Sequence, residues 1–374
     1  MRVPFMDLEA MHAPLADALQ RALLRVVAHG QFVLGPEVDA FEREFADFCG
    51  AAHAVGVGNG LDAITLTLRA AGLSHGAEVI VPANTYIATA LGVIQAGGIP
   101  VPADVLPDSY DLDPVAAEAA LTERTEAILP VHLYGQPADM DRLRALADRR
   151  GLLLVEDAAQ AQGARWRGRR TGSLSHAGCF SFYPAKNLGA FGDAGAVVTD
   201  DAALAERLRR LRSYGQREKY VHVSEGVNSR LDSLQAAVLL AKLPHLDGWN
   251  DARRRIAERY ARELEGAEAR LPAEVEGAEH VWHLYVVQVE ERARVRAALA
   301  ERGVETLIHY PAGLADHEAF AARGWRAGDY PVTTAARERV LSLPMFPGLD
   351  EVRQEYVAAA LREVLAARGA AAVG

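Results

Sequence analysis

The sequence predicts an α/β protein: a large domain with a mostly parallel sheet flanked by helices, then a smaller α+β domain at the C-terminal end. Three observations point there. Up to about residue 200, short apolar runs alternate with segments whose apolar residues recur at helical spacing. Those runs are continuous rather than alternating, as expected of strands buried on both faces. Beyond residue 200 the alternation stops, and helical segments follow one another before the next apolar run. A chain of 374 residues suits about two domains at ~150 residues each. The division falls at residue 245, giving a large domain over 1–245 and a small one over 246–374.

The elements follow in order. Val38, Phe41, Phe45 and Phe48 are spaced as one face of a helix over 37–49. His53–Val57 is a short apolar strand ending in Gly56-Val57-Gly58-Asn59-Gly60, and Leu61 to Ala71 is helical. Glu78–Pro82 is a buried strand closed by proline, Tyr86 to Gly97 a helix, and Ile99–Ala103 a strand. Asp113 and Pro114 are placed as N-cap and first residue of the next helix. A strand over Ala127–Val131, a helix over Asp139–Arg150 and a strand over Leu152–Val155 follow, the last running into Glu156-Asp157. An apolar strand begins at Phe180, and Ala196–Thr199 is the next. Helices over Ala202–Arg212, Ser233–Leu243 (stopped near Pro244) and Trp249–Leu264 lead into the smaller domain. There the pattern reads strand Val281–Val289, helix Ala293–Arg302, strand Glu305–Ile308 and a terminal helix over Asp350–Arg368.

Composition narrows the function. The net charge is −10, with 40 Lys and Arg against 50 Asp and Glu, which disfavours nucleic acid as the main partner. Two cysteines cannot build a disulfide framework, so a reduced, cytoplasmic setting is expected. No apolar stretch approaches the ~20 residues that span a bilayer, and no signal peptide is evident.

In a sheet of this kind ligands bind beyond the carboxyl ends of the strands. Asp157 follows the strand ending at Val155, although a lone Asp there is more often a helix cap. Lys186 stands in an apolar, glycine-punctuated turn, Tyr183-Pro184-Ala185-Lys186-Asn187-Leu188-Gly189, with no acid or base beside it. Most lone lysines are solvated surface groups, but one held in apolar surroundings has a lowered pKa and can form an imine. Pyridoxal phosphate chemistry needs this pair: a lysine for the imine and a carboxylate for the ring nitrogen. The turn Gly58-Asn59-Gly60-Leu61 opens a helix and can hold an anion. Tyr86, at the same sheet edge, is placed to stack on a ring, although a single aromatic is more often core.

These motifs together resemble the DegT/DnrJ/StrS family of pyridoxal-phosphate-dependent sugar aminotransferases, over essentially the whole chain. The resemblance rests on Gly35-Pro36-Glu37, PANTYIAT, VHLYGQPADMD, VEDAAQAQGA, FSFYPAKNLGAFGDAGAVVT, NSRLDSLQAAVL and IHYP. It implies the fold-type-I aminotransferase architecture. It also implies that Lys186 carries the cofactor, Asp157 pairs with the ring nitrogen, Gln160 lies near the phenolic oxygen and Tyr86 stacks on the ring. Ser181 and the backbone of Gly60 and Leu61 would hold the phosphate. Asn228 would reach the phosphate of a neighbouring subunit, so a homodimer with shared active sites is implied. Ala194 departs from the glycine common in the family. The strings PVHLYGQPADMD, YGQREKY and NSRLDSLQAAVL look most like members that aminate C3 of a dTDP-3-keto-6-deoxyhexose, with L-glutamate as donor. C4-aminating and 2-acetamido-sugar relatives share most of these motifs. His309, Tyr310 and His317 match the family's C-terminal substrate segment, and Arg230, four residues before Leu234, is placed to meet a diphosphate, with a structural reading open for each.

Other signals weigh less. Arg165–Arg170 mixes basic and aromatic residues, and reads better as a solvated hairpin than as a nucleic-acid loop. His280 and His283 have a metal-like spacing, but a strand through them would point them oppositely, and no metal is expected. Asp111-Leu112-Asp113 resembles a glycosyltransferase acid pair, and helix capping accounts better for it. A cysteine desulfurase lacks a placed cysteine, and a dehydrase would replace Lys186 by histidine. A non-catalytic regulator would be expected to lose Lys186 or Asp157. A nicotinamide dehydrogenase is disfavoured because Leu61 stands where the third glycine of the fingerprint belongs.

Overall fold

The computed structural model of the chain describes residues 1–371. Seven strands form the main sheet: β1 (His53–Val57), β2 (Glu78–Pro82), β3 (Ile99–Ala103), β4 (Thr125–Ile128), β5 (Leu153–Asp157), β6 (Ala177–Ser181) and β7 (Gly195–Thr199). Their spatial order is β1-β7-β6-β5-β4-β2-β3. All neighbouring pairs from β6 to β3 are parallel, and β7 alone is reversed, antiparallel to both β1 and β6. The carboxyl ends of β1, β2, β5 and β6 therefore lie along one edge. The mostly parallel sheet read from the sequence is what forms.

Helices cover both faces, and strand alternation decides which face each side chain meets. Phe180 and Phe182 turn toward helix Pro36–Cys49. There Phe45 meets both rings edge-on, at centroid distances of 5.0 and 5.1 Å. Cys179 and Ser181 turn the other way, toward helix Gly60–Ala71, where the Cys179 thiol lies 3.4 Å from the Thr67 hydroxyl. The aromatic layer thus backs the strand whose opposite face opens on the site. Phe45→Ala is expected to cost about 3–5 kcal/mol through lost burial and a residual cavity. Chemical denaturation of the apoprotein measures it.

A second core joins helix Leu246–Glu263, helix Glu351–Ala371 and a small sheet in which Tyr285–Val289 runs antiparallel to Val340–Leu343. Val3 and Met11 belong to that core, so the N-terminal segment crosses to it. A side-chain tie joins the two regions: Asp104, just beyond β3, accepts from the backbone N–H of Val332 and of Thr333 at 2.8 and 3.0 Å, capping helix Pro331–Arg339. Within the second core, buried Arg253 donates to the carbonyls of Trp282 and Met345 at 3.1 and 3.0 Å. Among the described residues no helix is long and apolar enough to cross a membrane.

Several boundaries differ from the sequence reading. β4 ends at Ile128 rather than Val131, because Pro130 has no N–H for the ladder. The strand expected over Val281–Val289 begins only at Tyr285: Trp282 has φ +48°, a left-handed turn that no strand tolerates. Glu305–Ile308 forms no strand, only a bridge from Leu307 to Ser342. The helix from Ser233 does stop near Pro244, at Lys242; Pro244 sits in a short turn, Leu243–His245, that passes directly into the next helix, which begins at Leu246 rather than Trp249. Two N-terminal helices, Leu8–His12 and Ala16–His29, and the strand Val340–Leu343 were not anticipated. Arg165–Trp166 and Arg169–Arg170 do form a hairpin, turned by Arg167 and Gly168 at positive φ, with Trp166 buried.

Candidate active site

The loops after β1, β2, β5 and β6 enclose a cavity of about 550 Å³. Its wall includes Gly60, Leu61, Tyr86, Asp157, Gln160, Ser181, Lys186, His309 and Tyr310. Nine of the sequence-predicted residues, drawn from positions 60 to 310, therefore meet in one place.

Asp157 is the last residue of β5 and is buried, 5% exposed. Its Oδ2 accepts from the Thr89 hydroxyl at 2.8 Å and its Oδ1 from the Ala159 N–H at 3.2 Å. Burial raises its pKa, against the pull of those two donors and of Lys186. Helix Ile87–Gln95 supplies Thr89 and, at its N-cap, Tyr86. The Tyr86 ring lies 5.7 Å from that of Tyr310. Gln160 is fixed at both ends: its Oε1 accepts from the Tyr134 N–H at 2.7 Å, and its Nε2 donates to the Tyr310 hydroxyl at 2.8 Å.

Lys186 follows β6 in a turn closed by its N–H to the Tyr183 carbonyl at 2.8 Å. Its amine lies in the cavity, and desolvation lowers its pKa to about 8, with Asp157 pulling the other way. An amine so placed exists in appreciable neutral form near neutral pH, which an imine-forming nucleophile needs.

The same cavity wall includes a helix start that can hold an anion. Helix Gly60–Ala71 is capped by Asn59, whose Oδ1 accepts from the Asp62 N–H at 2.9 Å. The N–H groups of its first residues, Gly60 and Leu61, have no carbonyl one turn back and face the cavity. A Cβ at Gly60 would lie 2.7 Å from the Ser181 Cβ, so this cradle admits only glycine. Gly60→Ala is expected to weaken cofactor binding roughly tenfold or more, about 1.4 kcal/mol, in a spectroscopic titration of the apoenzyme.

These donors suit pyridoxal phosphate: a buried carboxylate for the ring nitrogen, an amine of lowered pKa, and a helix start with a hydroxyl for the phosphate. Three predicted residues lie elsewhere. Asn228 is exposed, on the segment whose Ser229 hydroxyl donates to Asp62 at 2.6 Å. The Arg230 guanidinium lies 5.7 Å from the Tyr214 ring centroid, and the His317 ring packs edge-on to Phe320. Of the cavity wall's lysines and arginines, Lys186 is the sole member. Thr89, Asp193 and His283 line the wall too, and the sequence reading missed them as site residues. Thr89 is one helical turn from Tyr86, a signal that was there to use. Asp113 does cap its helix, accepting from the Val115 N–H at 2.9 Å, as expected over the glycosyltransferase reading.

A family model described as the DegT/DnrJ/EryC1/StrS aminotransferase family matches residues 15–362. The chain is 51% identical over 363 residues to the "Erythromycin biosynthesis sensory transduction protein EryC1" of Saccharopolyspora erythraea, covering 97% of this chain and 99% of that one. It is 50% identical over 363 residues to the "dTDP-3-amino-3,4,6-trideoxy-alpha-D-glucose transaminase" of Streptomyces venezuelae, covering 97% and 96%. Among solved structures, S. venezuelae DesV in complex with a ketimine intermediate superposes with a TM-score of 0.95 at 50% identity, covering 97% of this chain and 98% of that one.

Proposed function

The chain belongs to the DegT/DnrJ/EryC1/StrS aminotransferase family, with pyridoxal 5′-phosphate as cofactor, and on that premise we propose which reaction it runs. It transfers an amino group from L-glutamate to C3 of a dTDP-linked 3-keto-6-deoxyhexose, in the cytoplasm, as a homodimer with shared sites. One observation carries the reading: Lys186 and Asp157 face one cavity whose wall also holds the Gly60–Ser181 cradle. The name of the S. venezuelae transaminase supports the nucleotide-sugar substrate. The same premise divides the chain near residue 245: every strand of the main sheet precedes residue 200, and the small sheet follows residue 268.

When bound, the cofactor supplies an electron sink that makes a neighbouring C–H bond acidic. The residues of this chain do the rest. Asp157 keeps a proton on the ring nitrogen, its carboxylate aimed by Thr89 and Ala159. Lys186, its amine neutral in part because of desolvation, takes the proton from the donor carbon and returns it on the other side of the reaction. Gly60, Leu61 and Ser181 hold the phosphate. Gln160 and Tyr86 would orient the ring. His309 is held by its Nδ1 to the Ser342 hydroxyl at 2.8 Å, and burial with the nearby Lys186 lowers its pKa to about 4, so it meets substrate uncharged. Arg230 and Asn228 reach the site of the partner subunit.

The sensory-transduction name of one relative keeps a regulatory protein as the second reading. One experiment separates the two. The purified protein is loaded with pyridoxal phosphate, and its visible absorbance is followed on adding L-glutamate. Loss of the visible band, then its return with a dTDP-3-keto sugar, is expected. A protein that binds the cofactor yet gives no spectral change with any amino donor is a regulator. A panel of dTDP- and UDP-linked 3-keto and 4-keto sugars separates C3 from C4 amination.

A further inference from the structure

Asp157 stands at the end of a chain of two hydroxyls. The Thr89 hydroxyl donates to its Oδ2 at 2.8 Å, and the Thr85 and Thr89 hydroxyls lie 2.9 Å apart. A hydroxyl carries one proton, and an ionised carboxylate can only accept. With the Thr89 proton on Asp157, the bond between the two threonines has one direction: Thr85 donates and Thr89 accepts. Both side chains are 1% exposed, and both line the cavity.

The local fold holds the chain in place. Thr85 and Thr89 flank the start of helix Ile87–Gln95, where the Thr89 N–H bonds the Tyr86 carbonyl at 3.1 Å. The segment carrying Thr85 is pinned on two sides at Ala83. Its N–H bonds the Ala103 carbonyl at 2.7 Å, and its carbonyl accepts from the Leu314 N–H at 2.9 Å. Burial pushes Asp157 toward its neutral form, so each donor to the carboxylate counts. Bonds in such a chain polarise one another, by roughly 10–30% each. Without Thr85, the buried Thr89 oxygen has no donor and its proton is free to turn away from Asp157. The other groups that face the carboxylate are Lys186 from the turn after β6, His132 from the segment after β4, Cys179 on β6 and Tyr310.

We infer that Thr85 is a positioning residue for Asp157: its hydroxyl donates to Thr89 and so locks the Thr89 proton onto the carboxylate. What that carboxylate does for a bound ring rests on the aminotransferase reading. The direction of the hydroxyl chain does not.

The test uses the apoenzyme and the holoenzyme of wild type, Thr85→Val, Thr85→Ser, Thr89→Val and the double valine variant. Valine is nearly the shape of threonine without the hydroxyl, and serine keeps the hydroxyl. In apoenzyme carrying aspartate labelled with ¹³C at Cγ, NMR reads the titration of Asp157, whose signal is identified by its loss in Asp157→Asn. Removing a donor favours the neutral acid, so Thr85→Val is expected to raise the midpoint by about half a pH unit. Thr85→Ser keeps the wild-type midpoint. Thr89→Val raises it by about one pH unit. Adding Thr85→Val to Thr89→Val changes nothing further, because Thr85 acts through Thr89 alone. In the holoenzyme, Thr85→Val slows the glutamate half-reaction about three- to fivefold, with its pH profile displaced upward. The Ser variant recovers both.

An unchanged Asp157 midpoint in Thr85→Val overturns the inference, as do equal shifts in the Val and Ser variants, or additive shifts in the double variant. Neutron diffraction from wild-type apoenzyme at alkaline pH, where Asp157 is ionised, needs no variant. It is expected to place the Thr85 deuteron toward Thr89 and the Thr89 deuteron toward Asp157, and a Thr89 deuteron aimed at Thr85 overturns the inference. A wild-type protein with no glutamate half-reaction instead overturns the aminotransferase reading, and the carboxyl titration still judges Thr85.

Discussion

Lys186→Ala abolishes turnover. General base work by a placed side chain contributes roughly 10²–10⁴-fold on its own, and in the proposed function the same amine also forms the covalent link to the cofactor. Among the described residues no second lysine or arginine lines the cavity to take over either task. The variant is expected to bind the cofactor through the Gly60–Ser181 cradle, to lack the visible band that depends on the lysine, and to show no half-reaction with glutamate. Retention of wild-type turnover would falsify the assignment of the active site. The fold should survive, and the sign of the stability change follows from linkage. In the folded apoenzyme the Lys186 pKa is about 8, against 10.5 for a free lysine. The unfolded chain therefore binds that proton more tightly, and the buried ammonium weakens the fold below about pH 8. Above that value stability recovers with rising pH, up to the unfolded pKa. The alanine apoprotein is therefore expected to melt no lower than wild type near neutral pH, with any advantage shrinking in alkali. Calorimetry across pH checks this.

Asp157→Asn is the second large loss, expected at about 10²–10⁴-fold in the half-reaction with cofactor still bound. Asparagine is nearly the shape of aspartate: its Oδ1 can keep accepting from the Ala159 N–H, while its Nδ2 would donate to a Thr89 hydroxyl turned to accept. What disappears is the negative charge that holds a proton on the ring nitrogen. The native carboxylate does this at a cost, since burial alone pushes it toward the neutral form, and Thr89, Ala159 and Lys186 oppose that. Thr89→Val removes one of those supports, the bond at 2.8 Å. It is expected to produce the same defect about tenfold more weakly, with the pH profile of the half-reaction displaced upward as the carboxyl protonates more readily. A Thr89→Val profile that coincides with wild type would show that Asp157 needs no such support.

Much of this was legible in the sequence, for identifiable reasons. β1, β2 and β3 fall where the apolar runs fall: Gly58 closes the first, Pro82 closes the second, and Gly98 opens the third. Asp157 and Lys186 could be paired because each follows a run that reads unambiguously as a strand. What stayed hidden depends on conformation rather than composition. Residues 281–284 look like a β-strand by hydropathy, but Trp282 takes a left-handed turn, and Arg253, remote in sequence, satisfies the carbonyls that a strand would have paired. That single misreading also hid His283, which was weighed with His280 as a metal pair. Helix Ala16–His29 did carry a signal: its buried residues Leu19, Ala22 and Val26 are spaced as one helical face. Val340–Leu343 carried less, four residues directly after a helix with no punctuation between them.

The cavity wall runs from Asn59 to Tyr310 along the chain. During synthesis, Lys186 and Asp157 leave the ribosome long before His283, His309 and Tyr310 do. A nascent chain cut off between residues 186 and 283 has the reactive pair but none of those later wall residues. Contacts this distant in sequence also form late and slowly in folding. Secure capture of the cofactor is therefore a near-final event in making this enzyme, and the aldehyde meets an ordered lysine only after most of the chain has been laid down.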